Sequence, residues 1–101
     1  MIDNQSLGKL GFKYGFMRLE FLKENREEKY TTMMIEGTLQ KHLEETQRMA
    51  QERVQLLVVQ MSEKEGVTET LKVQDQMKWV QMMNNILSRA EEIVTNEIIY
   101  S

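Results

Sequence analysis

Proline is absent from all 101 residues, and glycine occurs only five times. Proline removes a backbone donor and breaks helix interiors, so a chain without it, rich in Glu, Lys, Gln, Leu and Met, is suited to long helices. The best punctuation is Glu63 to Leu71, EKEGVTETL. Gly66 is placed to take the left-handed position that ends a helix, with Val67 folding back toward Met61. Thr68 is a natural N-cap, and Glu69 falls in the positive first turn of the next helix. The expected product is a tight helix–turn–helix connection, which is not in itself a DNA-reading motif.

Upstream of that turn, Ile35, Leu39, Leu43, Thr46, Ala50, Val54, Leu57 and Met61 step by three or four residues. This is the period of one helix face and predicts a helix over 31–65. Downstream, Leu71, Met77, Val80, Met83, Leu87, Ala90, Val94 and Ile98 predict a second over 68–100. At 1.5 Å per residue each would run roughly 50 Å. A short turn between them predicts a long antiparallel hairpin. Gly37 is read as lying inside the first of these helices, where another helix approaches closely. Phe16, Met17, Leu19, Phe21 and Leu22 predict a short helix over 13–25. Alternation of Phe12, Tyr14 and Phe16 also fits a strand, but no second strand exists to pair with it. Residues 1–12 are read as a loop or arm, and 26–30 as a connector. The expectation is one all-α domain over 1–101, with no internal repeat.

That hairpin carries more apolar surface than it can bury. Leu56, Leu57, Val58 and Val59 occupy four consecutive positions and point all round a helix. Trp79, Met82, Met83, Ile86 and Ile93 widen the stripe of the second helix. A homodimer forming a helical bundle would cover both, which makes Leu56, Val59, Trp79, Met82, Met83 and Ile86 the candidate interface. The stretch QDQMKWVQMMNN, Gln74 to Asn85, holds only two charges and reads as core or seam. Asn84 or Asn85 could set register by pairing with its counterpart, or could stand solvated at the margin of the stripe.

Catalytic chemistry finds little support. There is one His and no Cys, so Cys–His and metal-thiolate sites cannot be built. His42 lies in KHLEE, without the Glu-x-x-His repeats of a bundle di-metal site, and reads as a helical surface residue. The glycines of LGKLGFKYG lack the GKS/T element of a phosphate loop. No catalytic residue, metal, cofactor or small-molecule ligand is implied. No apolar run approaches the ~20 residues needed to cross a bilayer, and the N-terminus lacks a signal-peptide layout. The expected setting is the cytoplasm, with no membrane partner.

Charge is unevenly spread. The net charge is −3, yet residues 1–30 carry six basic and five acidic side chains, while 31–66 carry four against six and 67–101 three against five. Within the first third, Lys9, Lys13, Arg18, Lys23 and Arg26 interleave with Phe12, Tyr14, Phe16 and Phe21. Such cations can contact phosphates while aromatics stack on or wedge against bases. Alternatively the aromatics pack on the hairpin and the cations are merely solvated, which Glu20 and Glu24 favour by cancelling charge on the same helix.

The runs LGKLGFKYGFMRLEFLKENR, YTTMMIEGTLQKHL, EKEGVTETLKVQDQMKWVQMMNNI and RAEEIVTNEIIY resemble the TnpV family, over Leu7 to Tyr100. These are small proteins encoded in bacterial mobilizable transposons and related integrative elements. The resemblance implies a non-enzymatic accessory protein of a mobile element, excisionase-like, that binds double-stranded DNA and assists a separate element-encoded recombinase. The alternative is a helical module that binds an element-encoded or host protein without touching DNA.

Overall fold

The computed structural model describes residues 11–101, and every regular element among them is helical. Helix α1 spans Lys13–Asn25, α2 Glu27–Glu36, α3 Leu39–Glu65, α4 Glu69–Gln74 and α5 Gln76–Val94, followed by a π-helical turn over Thr95–Ile99. The predicted short helix over 13–25 is α1, and the predicted turn at Gly66 stands. The loop or arm expected over 1–12 lies mostly outside the described residues.

Both predicted long helices are interrupted. Gly37 does not sit inside a helix beneath a close neighbour: its φ is 74°, and a Cβ built there meets nothing within 4 Å. It ends α2 as Gly66, at φ 73°, ends α3. The bonding is the same at both: Thr38 N donates to Met33 O at 2.9 Å, and Val67 N donates to Ser62 O at 2.9 Å. This pattern satisfies carbonyls that a helix end would otherwise orphan. The second break is at Asp75, whose Oδ1 accepts from Lys78 N at 3.1 Å and caps α5. A side-chain cap thus competes with continuing the backbone ladder. Residues 26–30, expected as a connector, are mostly the first turn of α2. The expected pair of uninterrupted helices is therefore replaced, among the described residues, by four helices, α2 to α5, that meet at Gly37, Gly66 and Asp75.

Helix α3 is the shared wall. One core cluster joins Ala50, Val54 and Leu57 of α3 to Tyr14 of α1, Ala90 and Val94 of α5, and Ile99 of the π turn. Ala50 and Ala90 have no exposed surface, and their small side chains let the helices approach. A second cluster packs Leu22 of α1 against Met33 of α2 and Leu43 of α3. Between α3 and the C-terminal segment, Arg53 Nε meets Glu97 Oε1 at 3.3 Å, and Ser62 Oγ lies 3.5 Å from Met83 Sδ.

The π turn changes which isoleucine is core. Tyr100 N donates to Thr95 O, an i→i+5 bond at 3.0 Å. One extra residue enters the turn, so Ile99 is fully buried while Ile98 is only half-buried. The molecule measures 55 × 34 × 18 Å, about two helices thick at its thinnest. So flat a body leaves much apolar surface uncovered.

Candidate functional site

The five cations singled out from the sequence have different fates. Lys9 lies outside the described residues. Lys13 Nζ is 2.6 Å from Glu91 Oε2. Arg18 is 3% exposed, and two of its three guanidinium nitrogens are engaged. Nη1 donates to Ile99 O at 2.7 Å and to Ser101 O at 2.9 Å, and Nε donates to His42 Nε2 at 3.1 Å. Arg18 therefore ties α1 to α3 and to the C-terminal turn, and its charge faces inward. Lys23 and Arg26 remain exposed, each over an aromatic ring: Lys23 above Tyr30 at 5.9 Å, Arg26 above Phe21 at 5.1 Å.

His42 accepts from Arg18, so its Nε2 is unprotonated in this arrangement. Burial first, then the charges of Arg18 and Lys29, push it below its ordinary value, against the upward pull of Glu45. It is a half-buried hydrogen-bond partner and not the surface residue expected.

Two anchors had no clear signal in the sequence. Gln47 Oε1 accepts from Tyr14 N at 2.8 Å and from Gly15 N at 3.0 Å. These are first-turn donors of α1, which has no side-chain cap of its own, so α3 supplies the cap. Glu91 accepts from Tyr14 Oη at 2.9 Å as well as from Lys13. Burial and this carboxylate push the Tyr14 phenol up to about 12, while Lys13 and Tyr14 hold the Glu91 carboxyl below its usual range.

The interface candidates also divide. Ile86 has no exposed surface within the single chain, so it belongs to the core. Trp79, Met82 and Met83 are half-buried, and Lys72 Nζ lies 4.7 Å above the Trp79 ring. Leu56 and Val59 stand exposed on α3. The most exposed apolar side chains of α4 and α5 are others: Val73 at 85%, Met77 at 74%, Leu87 at 42% and Val80 at 40%. Met77, Val80 and Leu87, which the periodicity placed among the core stripe, share one outward face of α5. Gln76, Met77, Val80 and Gln81 line a hollow of about 260 Å³ there. A second opening, about 530 Å³, lies between α1 and the C-terminus, walled by Met17, Phe21 and Tyr100 and edged by Glu20, Glu24 and Asn25.

Among the described residues, no group of three or more His, Cys, Asp or Glu is placed to hold a metal ion. None of the described helices is long and apolar enough to cross a membrane. The chain matches the family described as transposon-encoded protein TnpV over residues 1–99, and it belongs to that family. No curated protein and no solved structure matches it.

Proposed function

We propose that this member of the TnpV family is a non-catalytic accessory protein of a mobile element that acts in the cytoplasm through protein–protein contact. The observation that carries this reading is the apolar face of α4 and α5, where Val73, Met77, Val80 and Leu87 are turned to solvent. A contiguous apolar face on a small domain marks an interaction surface. Methionine suits it, because its flexible side chain adapts to a partner's contours. The test is co-purification of the tagged chain with the recombinase of its own element. Binding retained by the parent and lost in Val80→Lys supports the reading; binding unchanged by that substitution refutes it.

A second reading, an excisionase-like factor that binds double-stranded DNA for a separate recombinase, draws on a different observation. Lys23 and Arg26 stay exposed at the α1–α2 corner beside Lys29, and among the described residues none of the three forms an ion pair. Lys9 and Lys13 would extend that set, Lys13 only by leaving Glu91. Against it stand Glu20, Glu24, Glu27 and Glu28 in the same region, and the inward commitment of Arg18. Fluorescence anisotropy with a duplex from the element end and a scrambled duplex separates the two readings. Three phosphate contacts predict a log–log salt slope of about −3. A complex that prefers the element end, follows that slope and is lost in the Lys23→Ala, Arg26→Ala double variant selects the DNA reading. No salt-dependent complex selects the protein-contact reading.

A further inference from the structure

On α5 the outward residues Met77, Val80, Asn84 and Leu87 recur at alternating spacings of three and four, and the next position in the series is Glu91. This is the spacing of a coiled-coil seam, two heptads long, with a polar residue at one inner position. Among the described residues the seam is covered at one end only. At Glu91, α1 lies across it, with Lys13 Nζ and Tyr14 Oη both donating to Glu91 Oε2. From Leu87 back to Met77 it is open.

We infer that this open face pairs in parallel with the same face of a second copy of the chain, Asn84 against Asn84. The inference rests on the reading of the face as a docking surface and names its first occupant, so that an element protein meets a dimer. Three features favour a second copy. An unrelated apolar segment would leave the Asn84 amide without a partner in a dry seam, whereas an identical helix in parallel register brings a matching amide. The residues flanking the seam, Gln76, Gln81 and Ser88, are uncharged, so two identical faces meet without repulsion. Between Gln76 and Ser88 the only charge is Lys78, in a chain that is 29% charged. A strongly acidic or basic partner would find no counter-charges there, and a phosphate backbone would find one cation.

The chain has no cysteine, which allows a direct test. Full-length Asn84→Cys and Asn85→Cys each carry one thiol, about 100° apart around α5. With oxidised glutathione present, Asn84→Cys should cross-link at least tenfold faster than Asn85→Cys. Sedimentation equilibrium of the parent chain should show the 12.0 kDa species giving way to one of twice that mass as concentration rises. Val80→Lys should weaken that association at least tenfold while leaving helical circular dichroism intact. Equal cross-linking rates, or a parent monomeric at all concentrations, overturns the inference. If the parent is monomeric but Val80→Lys still abolishes recombinase binding, the pairing falls and the docking reading stands. If Val80→Lys then changes nothing, both fall.

Discussion

The two ends of α5 face opposite situations. Its C-terminal end, with the π turn beyond it, is closed by α1, and the closure is fastened by polar groups: Lys13 and Tyr14 on Glu91, and Arg18 on the carbonyls of Ile99 and Ser101. Its N-terminal end, with α4, forms an elbow about Asp75 where Val73 and Met77 point into solvent. The first end is held within the chain. The second displays an apolar face that no other described residue covers. Under the proposed reading, groups that hold the fold and groups that meet a partner are thus separated along one helix. Substitutions at the closed end should cost folding free energy, and those at the open end should cost association.

The sharpest break of that comparison is Arg18→Met. The methionine fills part of the stem's volume but strands the buried carbonyl of Ile99, the part-buried carbonyl of Ser101 and the His42 acceptor. Each buried acceptor left unmet costs about 1–3 kcal/mol, so a total loss of about 3 kcal/mol is expected. In a domain of this size each kcal/mol moves the midpoint by about 4–8 °C. Thermal unfolding followed by circular dichroism should therefore show a fall of more than 10 °C. If Arg18→Met melts within a few degrees of the parent, the closed end is not held as described.

Gln47→Leu comes next. It removes the acceptor for Tyr14 N and Gly15 N, which opens the start of α1 while leaving the rest of its packing in place. Loss of a helix cap costs about 1–2 kcal/mol. Urea denaturation should place Gln47→Leu below the parent by that amount. Gln47→Glu, which keeps an oxygen acceptor, should recover most of it. Equal losses in the two variants would mean that size, and not the hydrogen bonds, is what matters at this position.

These anchors show why the fold was only partly legible. The helical class, the start and end of α1 and the turn at Gly66 follow from local rules, because composition, periodicity and a capping glycine act within a few residues. The break at Gly37 was legible too: EGT at Glu36 to Thr38 resembles EGVT at Glu65 to Thr68, and both glycines take positive φ. Reading Gly37 as a close-packing residue let an unbroken apolar period outweigh the C-cap chemistry. Asp75 carried an N-cap signal, but it sits inside a run with neither Gly nor Pro. Gln47 and Arg18 are harder cases. Their partners are 33 and 81 residues away in sequence, so no spacing rule could pair them. Among the cations, charge count could not separate Arg18, which turns inward, from Lys23 and Arg26, which do not. At the candidate interface, periodicity grouped Met77, Val80 and Leu87 with the core, although the bend at Asp75 and the place where α1 lands decide which part of the stripe is covered.

A smaller effect concerns pH and sharpens the account of the closed end. His42 is held neutral in the folded chain, with burial and then Arg18 and Lys29 lowering its proton affinity below the ordinary value of 6.5. The unfolded chain thus binds a proton in a window where the folded chain does not, and stability rises with pH across it. The contribution of neutral His42 is fully present above about 6.5 and is lost as pH falls from there toward the lowered folded value. Chemical denaturation at a series of pH values should show this decline in the parent, and His42→Gln should flatten it. A decline of equal depth in His42→Gln would assign the effect to carboxylates.

The smallest expected effect on folding is at the open end. Met77 gives up little water on folding, so Met77→Gln should shift the stability of the dilute chain by no more than about 0.5 kcal/mol. That near-zero change is informative only beside the response at Arg18 and only at low concentration. At high concentration the parent should gain stability from pairing, by mass action, while Met77→Gln gains less. Unfolding curves taken over a hundredfold range of protein concentration therefore separate the two ends of α5. The gap between parent and Met77→Gln should widen with concentration, whereas the gap between parent and Gln47→Leu should persist at the lowest concentration. A Met77→Gln gap that is large and independent of concentration would place that side chain in the folding core and dissolve the distinction between the two ends.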